Sequence, residues 1–295
     1  MMDAPAPVYD RTTEDVGNIV ELGHVNVRVP DQGPATQFYV SALGLTRDPY
    51  MMTGTTNMWV NVGRGQFHLP TGGPQVIGGV TGLVLPDTEA LLRRLSAARR
   101  MLQGTGFAFV ERDDAIEATC PWGNRIRCHP PEPRFGAIAR GMPYVALDAP
   151  PGSAQGIARF YREVLGTPAD VAEETGVATV NIPVGIDQRL LFRETDRPIP
   201  SFDGAHIQVS LADFSGPYKR LLAMGLITEE SDQHQYRFQA VVDPETRRVL
   251  CTVEHEVRSM RHPLYARALV NRNPAQSNVG YAPGHDARAW GLGHG

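Results

Sequence analysis

The chain repeats one order of elements, and that repeat limits its fold more than any other feature. His24-Val-Asn-Val-Arg-Val-Pro alternates like a half-buried strand, and Asp31-Gln-Gly opens a helix. Ala35 to Leu43 carries Phe38-Tyr39 and ends at Leu43-Gly44, where a left-handed glycine cap belongs. Short strands follow at Asp48–Thr53, Asn57–Val62 and Gln66–Leu69. The second half repeats the order. Tyr144-Val-Ala-Leu-Asp-Ala-Pro is the strand, and Ser153 to Leu165 is the helix, with Phe160-Tyr161 and Leu165-Gly166 in matching places. Asp170–Glu174, Ala178–Pro183 and Arg189–Arg193 are the strands that follow.

Each copy is trailed by a weaker one. Val80-Thr-Gly-Leu-Val-Leu-Pro is a strand, and Asp87 or Thr88 caps a helix through Leu102. Phe107–Glu111, Ile116–Cys120 and Arg125–Cys128 complete that unit. The last begins at His206-Ile-Gln-Val-Ser-Leu-Ala, has a helix from Phe214 to Met224, and includes strands at Tyr236–Val242 and Arg248–Val253. The expected fold class is α+β, with four βαβββ modules. The predicted boundaries are an N-terminal extension over 1–18, a first domain over 19–132 (modules 19–72 and 76–132), a second over 141–257 (modules 141–196 and 200–257), and a tail over 258–295. Units one and two are expected to pair, as are three and four, with Pro130–Gly141 as linker. Each module's sheet then needs a partner layer to cover its apolar face.

Composition narrows the partners. The 295 residues are 42 % hydrophobic and 20 % charged, with a formal net charge of −4. No basic cluster is interleaved with aromatics, which argues against nucleic acid. No apolar run reaches the roughly 18 residues of a membrane helix. The first residues are acidic and Pro-rich, unlike a signal peptide, so the cytoplasm is the expected compartment. Cys120, Cys128 and Cys251 are too few and too scattered for a disulfide framework.

The order βαβββ, four times over, resembles the vicinal oxygen chelate superfamily, which includes glyoxalase I, bleomycin resistance proteins and type I extradiol dioxygenases. The residues that carry the likeness are His24-Val-Asn-Val-Arg-Val-Pro-Asp, Phe38-Tyr39 with Leu43-Gly44-Leu45, and Cys120-Pro-Trp-Gly-Asn-Arg-Ile126. The resemblance implies modules paired into two glyoxalase-like domains, with metal ligands on the first and last strands of paired units. His24 matches the first-strand ligand, and His68 lies where the family has Glu or His on the last strand. His129 lies two residues beyond Arg127, which takes the corresponding position in the second unit. His24, His68 and His129 are therefore the expected ligands of a divalent metal: Fe, Mn, Zn, Co or Ni. Arg127 is the expected anion-binding group, because a guanidinium can hold a carboxylate bidentately. Tyr144 stands where extradiol enzymes have their first His, His206 matches the second, and the last-strand carboxylate falls on Leu250, with Glu254 and Glu256 further along at the same parity. Tyr144 and His206 are expected as an acid–base pair.

The leading expectation is a metal-dependent enzyme, of lyase, isomerase or dioxygenase type, acting on a small oxygen-rich or aromatic molecule, with a homodimer as the expected assembly. The broken ligand sets at Val80, Arg127, Tyr144 and Leu250 keep a metal-free binding or resistance protein open. Length and unit count keep an extradiol dioxygenase open.

Overall fold

A computed structural model of the chain describes residues 9–49, 51, 56–267 and 269. The first module contains β1 (Ile19–Asn26), α1 (Gln32–Ala35, continued by a π-helical turn Thr36–Ala42), β2 (Thr46–Arg47), β3 (Asn57–Gly63) and β4 (Gly65–Pro70). The second contains β5 (Gly79–Val84), α2 (Thr88–Ala98), β6 (Ala108–Glu111), β7 (Ile116–Thr119) and β8 (Arg125–His129). The third has β9 (Gly141–Ala149), α3 (Ala154–Phe160, continued by a π-helical turn Tyr161–Leu165), β10 (Asp170–Glu174), β11 (Val177–Pro183) and β12 (Arg189–Glu194). The fourth has β13 (His206–Leu211), α4 (Ser215–Ala223), β14 (Ile227–Asp232), β15 (Gln235–Val242) and β16 (Val249–Ser259). All four modules follow the order read from the sequence.

Local chemistry explains the elements. Asp31 and Asp87 cap α1 and α2, accepting from the amides of Gly33 at 2.7 Å and Ala90 at 2.8 Å. Gly44 (φ 76°) and Gly166 (φ 71°) end the first and third helices in the left-handed region that suits glycine. Phe38, Tyr39, Phe160 and Tyr161 are fully buried. Each contributes about 1.5–3 kcal/mol of apolar burial, which is why the Phe-Tyr pair marks both strong copies. Two details differ from expectation. The strand after α1 is Thr46–Arg47, and Asp48 lies beyond it, fully buried; part of the predicted Asp48–Thr53 segment is outside the described residues. β16 runs six residues past the predicted Val253. Tyr281 and Trp290, aromatic residues of the tail, lie outside the described residues.

The modules form two eight-stranded sheets. One has the order β14-β15-β16-β13-β1-β4-β3-β2, the other β10-β11-β12-β9-β5-β8-β7-β6. The pairing expected from the sequence is therefore corrected: module one pairs with module four, and module two with module three. The reason lies in the Pro- and Gly-rich stretch before β9. It does not separate two sheets; it carries the chain from β8 past β5 to β9 within one sheet. The sheets are tied together by Gln188, which is buried. Its Nε2 donates to the Leu22 and Met142 carbonyls at 3.0 and 3.1 Å, and its Oε1 accepts from the Leu22 amide at 3.2 Å. No helix among the described residues is long and apolar enough to cross a membrane.

Candidate metal centre

The centre of the first sheet is the antiparallel pair β1 and β13, with His24 opposite Gln208 and Asn26 opposite His206. β4 and β16 flank this pair in parallel. His24 is opposite Gln66 and Asn26 opposite His68, while His206 is opposite Glu254 and Gln208 opposite Glu256. These registers make His24 equivalent to His206, and His68 equivalent to Glu256. Strand alternation separates two faces. On β16, His255 and Val257 point to the helices, and Glu254, Glu256 and Arg258 to the opposite, polar face. His255 is in the core: its Nε2 lies 2.6 Å from Tyr161 Oη and its Nδ1 donates to the Val253 carbonyl at 2.9 Å.

His24, His206 and Glu256 each offer a ligand atom, and these atoms lie within 4.8 Å of one another. Glu256 Oε1 is 4.0 Å from His24 Nε2, and Glu256 Oε2 is 3.4 Å from His206 Nε2. All three side chains are buried. Both imidazole Nε2 atoms are buried without a hydrogen-bond partner. Buried polar atoms left in this way are costly and call for an explanation. His206 Nδ1 lies 3.3 Å from Glu254, the outer-carboxylate arrangement that fixes a metal-binding imidazole. Glu256 is also met by Arg237 at 2.6 Å and Arg258 at 2.7 Å. Each carboxylate oxygen has two lone pairs, so these contacts leave acceptor capacity.

Electrostatics favour the ligand forms. Burial drives the His24 pKa well below the ordinary histidine value, keeping the ring neutral with a free lone pair. Burial works against ionisation of Glu256, but His206 and the charge of Arg258 outweigh it and hold the carboxyl below its ordinary range. Two imidazoles and one carboxylate are a donor set for Fe(II), Zn and related divalent ions. The residues present fit such an ion in kind, number and orphaned nitrogens.

His68 stands beside this group. Its ring is 5.8 Å from that of His24, it stacks on Trp59 at 3.9 Å, and its Nε2 donates to Asn57 Oδ1 at 2.8 Å. Burial, then the neighbouring His206, lower its pKa to about 3.

The other predicted site residues belong to the second sheet. His129 ends β8 and Tyr144 lies on β9; His129 Nε2 and Tyr144 Oη are 2.9 Å apart. His129 therefore does not converge with His24 and His68, and Tyr144 does not pair with His206. Both expectations assumed the other pairing of modules. Arg127 is also on the second sheet, held by Asp114 at 2.7 Å and near Glu117 at 3.8 Å. Tyr144 lies across Gly82, where a Cβ would fall 2.3 Å from its ring; only the missing side chain seats the tyrosine there. By strand register, the counterparts of His24, His68, His206 and Glu256 in this sheet are Val80, Arg127, Tyr144 and Leu191. That face has lost the ligand chemistry. Sequence counting missed Glu256 as the last-strand carboxylate, although its parity was legible; the length of β16 moved the position six residues beyond Leu250.

Comparison with known proteins agrees with this architecture. No family model matches the chain, and no curated protein matches it. Solved structures do. One is a Bacillus subtilis subsp. subtilis str. 168 protein provisionally named a dioxygenase, 15 % identical, with TM-score 0.55, covering 83 % of this chain and 86 % of that one. Another is glyoxalase I from Zea mays, 12 % identical, with TM-score 0.56, covering 81 % and 92 %. A point variant of the maize enzyme is 13 % identical, with TM-score 0.56, covering 85 % and 97 %. The chain has the vicinal oxygen chelate fold that its sequence resembles, as an α+β protein of four βαβββ modules.

Proposed function

We propose that the protein is a divalent-metal enzyme acting on a small oxygen-rich molecule, with His24, His206 and Glu256 as the metal's ligands. The observation that carries this is the pair of orphaned buried imidazole nitrogens facing one buried carboxylate. When bound, the metal supplies Lewis-acid polarisation of a substrate carbonyl or enolate oxygen. The residues around it have separable tasks. Glu254 orients the His206 ring. Arg237 and Arg258 offset the charge of Glu256 and provide cationic surroundings for an anionic substrate oxygen. His68, held neutral by burial and fixed by Asn57 and Trp59, adds an uncharged imidazole beside the ligands.

The test is metal analysis of tag-free protein, with His206→Ala and Glu256→Gln alongside. The wild type should carry about one divalent ion per chain, and both variants should lose it. Restoring metal at roughly 100-fold over its Kd should raise wild-type stability by about 2.7 kcal/mol. A second reading has one observation in its favour: both oxygens of Glu256 are already met by guanidinium groups. A wild type without metal, whose melting is unchanged by added Fe(II), Zn(II), Mn(II), Co(II) or Ni(II), would leave a metal-free binding protein as the answer.

A further inference from the structure

The second sheet carries a cavity of about 430 Å³ on the face whose metal positions have become Val80, Arg127, Tyr144 and Leu191. We infer that this cavity is a separate binding site for a small organic carboxylate. Three observations argue for it.

The first is unfilled hydrogen-bonding capacity. Arg127 Nε and Asn181 Oδ1 line the cavity, are buried, and have no hydrogen-bond partner. Both are costly if nothing occupies the space. A small turn of either side chain toward the cavity would let a carboxylate accept from Arg127 and a ligand hydroxyl donate to Asn181.

The second is charge. Four guanidinium groups line the cavity against three carboxylates, Asp114, Glu174 and Asp187. Asp114 meets Arg127 and Arg134, and Glu174 lies 3.7 Å from Arg193. Arg189 forms no ion pair with a described residue and is exposed. It lies opposite Tyr144 across β12 and β9, so both project from the same face. The other three guanidiniums are each met by carboxylates, Glu117 and Glu132 among them, so Arg189 is the one left to receive a ligand's carboxylate.

The third is shape and polarity. Phe135, Pro143 and Leu191 form an apolar part of the lining. A ligand with an acidic end and a compact apolar body meets both, and the volume lies within the usual range for small-molecule sites. A planar carboxylate also suits the fork geometry of arginine better than a point charge would.

Benzoate is the probe. Isothermal titration of the full chain with benzoate should show saturable binding, at least tenfold weaker in Arg189→Gln and restored in part by Arg189→Lys. Leu191→Phe narrows the cavity without changing a charge and should weaken binding too. His206→Ala, at the other sheet, should bind benzoate as the wild type does, whether or not that sheet holds a metal. Circular dichroism confirms that each variant is folded, and any that is not is replaced in the comparison by Asn181→Leu. Absence of saturable binding at millimolar benzoate overturns the inference. So does binding lost in His206→Ala but retained in Arg189→Gln, which would move the ligand to the metal centre.

Discussion

Gly82 and Tyr144 show how a single missing methyl organises a site. The tyrosine ring lies flat over the glycine on the neighbouring strand, which brings its hydroxyl to His129. Gly82→Ala should therefore displace the ring and destabilise the protein by about 1–3 kcal/mol, the usual penalty of overpacking. Urea unfolding would measure it, and in a Tyr144→Ala background the same Gly82→Ala change should cost little, because the ring it displaces is gone. A Gly82→Ala chain as stable as the wild type would show that the seat is not needed. The same scale explains which site residues could be read in advance. His24 and His206 were matched to first strands and His68 to a last strand, and the three lie on β1, β13 and β4, where strand alternation is a local signal. Glu256 was displaced from its expected place because β16 is eleven residues long, and nothing in the local sequence fixed its end. Tyr144 was read as a strand residue, and His129, one residue past the predicted strand end, closes β8. Their partners depended on which strands meet, and a residue's own neighbours in sequence do not encode that.

Between elements, the helix-to-strand contact at α3 and β15 carries a titratable load. Arg159 on α3 donates to both carboxylate oxygens of Asp243, at 3.1 and 2.8 Å, just after β15. The carboxylate also accepts from the Glu245 amide and the Thr246 hydroxyl. The hydrogen bond from Arg159 is the main reason the Asp243 pKa falls to about 2 from its ordinary 3.8. A carboxylate with a depressed folded-state pKa stabilises the protein above its unfolded value, and that stabilisation fades as pH falls through the folded value. Asp243→Asn should thus cost about 2 kcal/mol near neutral pH, with the gap to wild type closing between pH 3.8 and about 2. Denaturation curves across that window check it, and a gap independent of pH would mean that the ion pair contributes nothing. Elements themselves were legible because caps, the Phe-Tyr pairs and strand alternation are local signals. The strand after α1 was not, because Asp48 is drawn into a buried polar cluster with Gln66 and Arg267, contacts made far along the chain.

At the scale of the molecule, the order of pairing has a consequence for folding. Modules two and three are adjacent in sequence and close one sheet; modules one and four sit at opposite ends of the chain and close the other. The sequence displayed four modules plainly, but a Pro- and Gly-rich connection looks the same whether it joins two domains or crosses one sheet. The observed pairing means that a cut near residue 136 divides both sheets down the middle, parting β1 from β13 and β5 from β9. Each half would then expose two central strands with unpaired backbone groups and uncovered apolar faces, which is unstable in water and prone to association. Loop closure adds to this: the sheet of modules one and four joins segments more than 130 residues apart, an entropy that only the intact chain limits. We therefore expect the fragments 1–135 and 136–295, expressed apart, to lack cooperative unfolding and native strand content by circular dichroism. Mixed after refolding, they should recover both as a one-to-one complex, helped by Gln188 of one fragment meeting Leu22 of the other. If either fragment alone is monomeric and unfolds cooperatively with native-like strand content, the pairing of modules across the chain is wrong. The metal centre would fail with it, since His24 and His206 would then belong to different sheets.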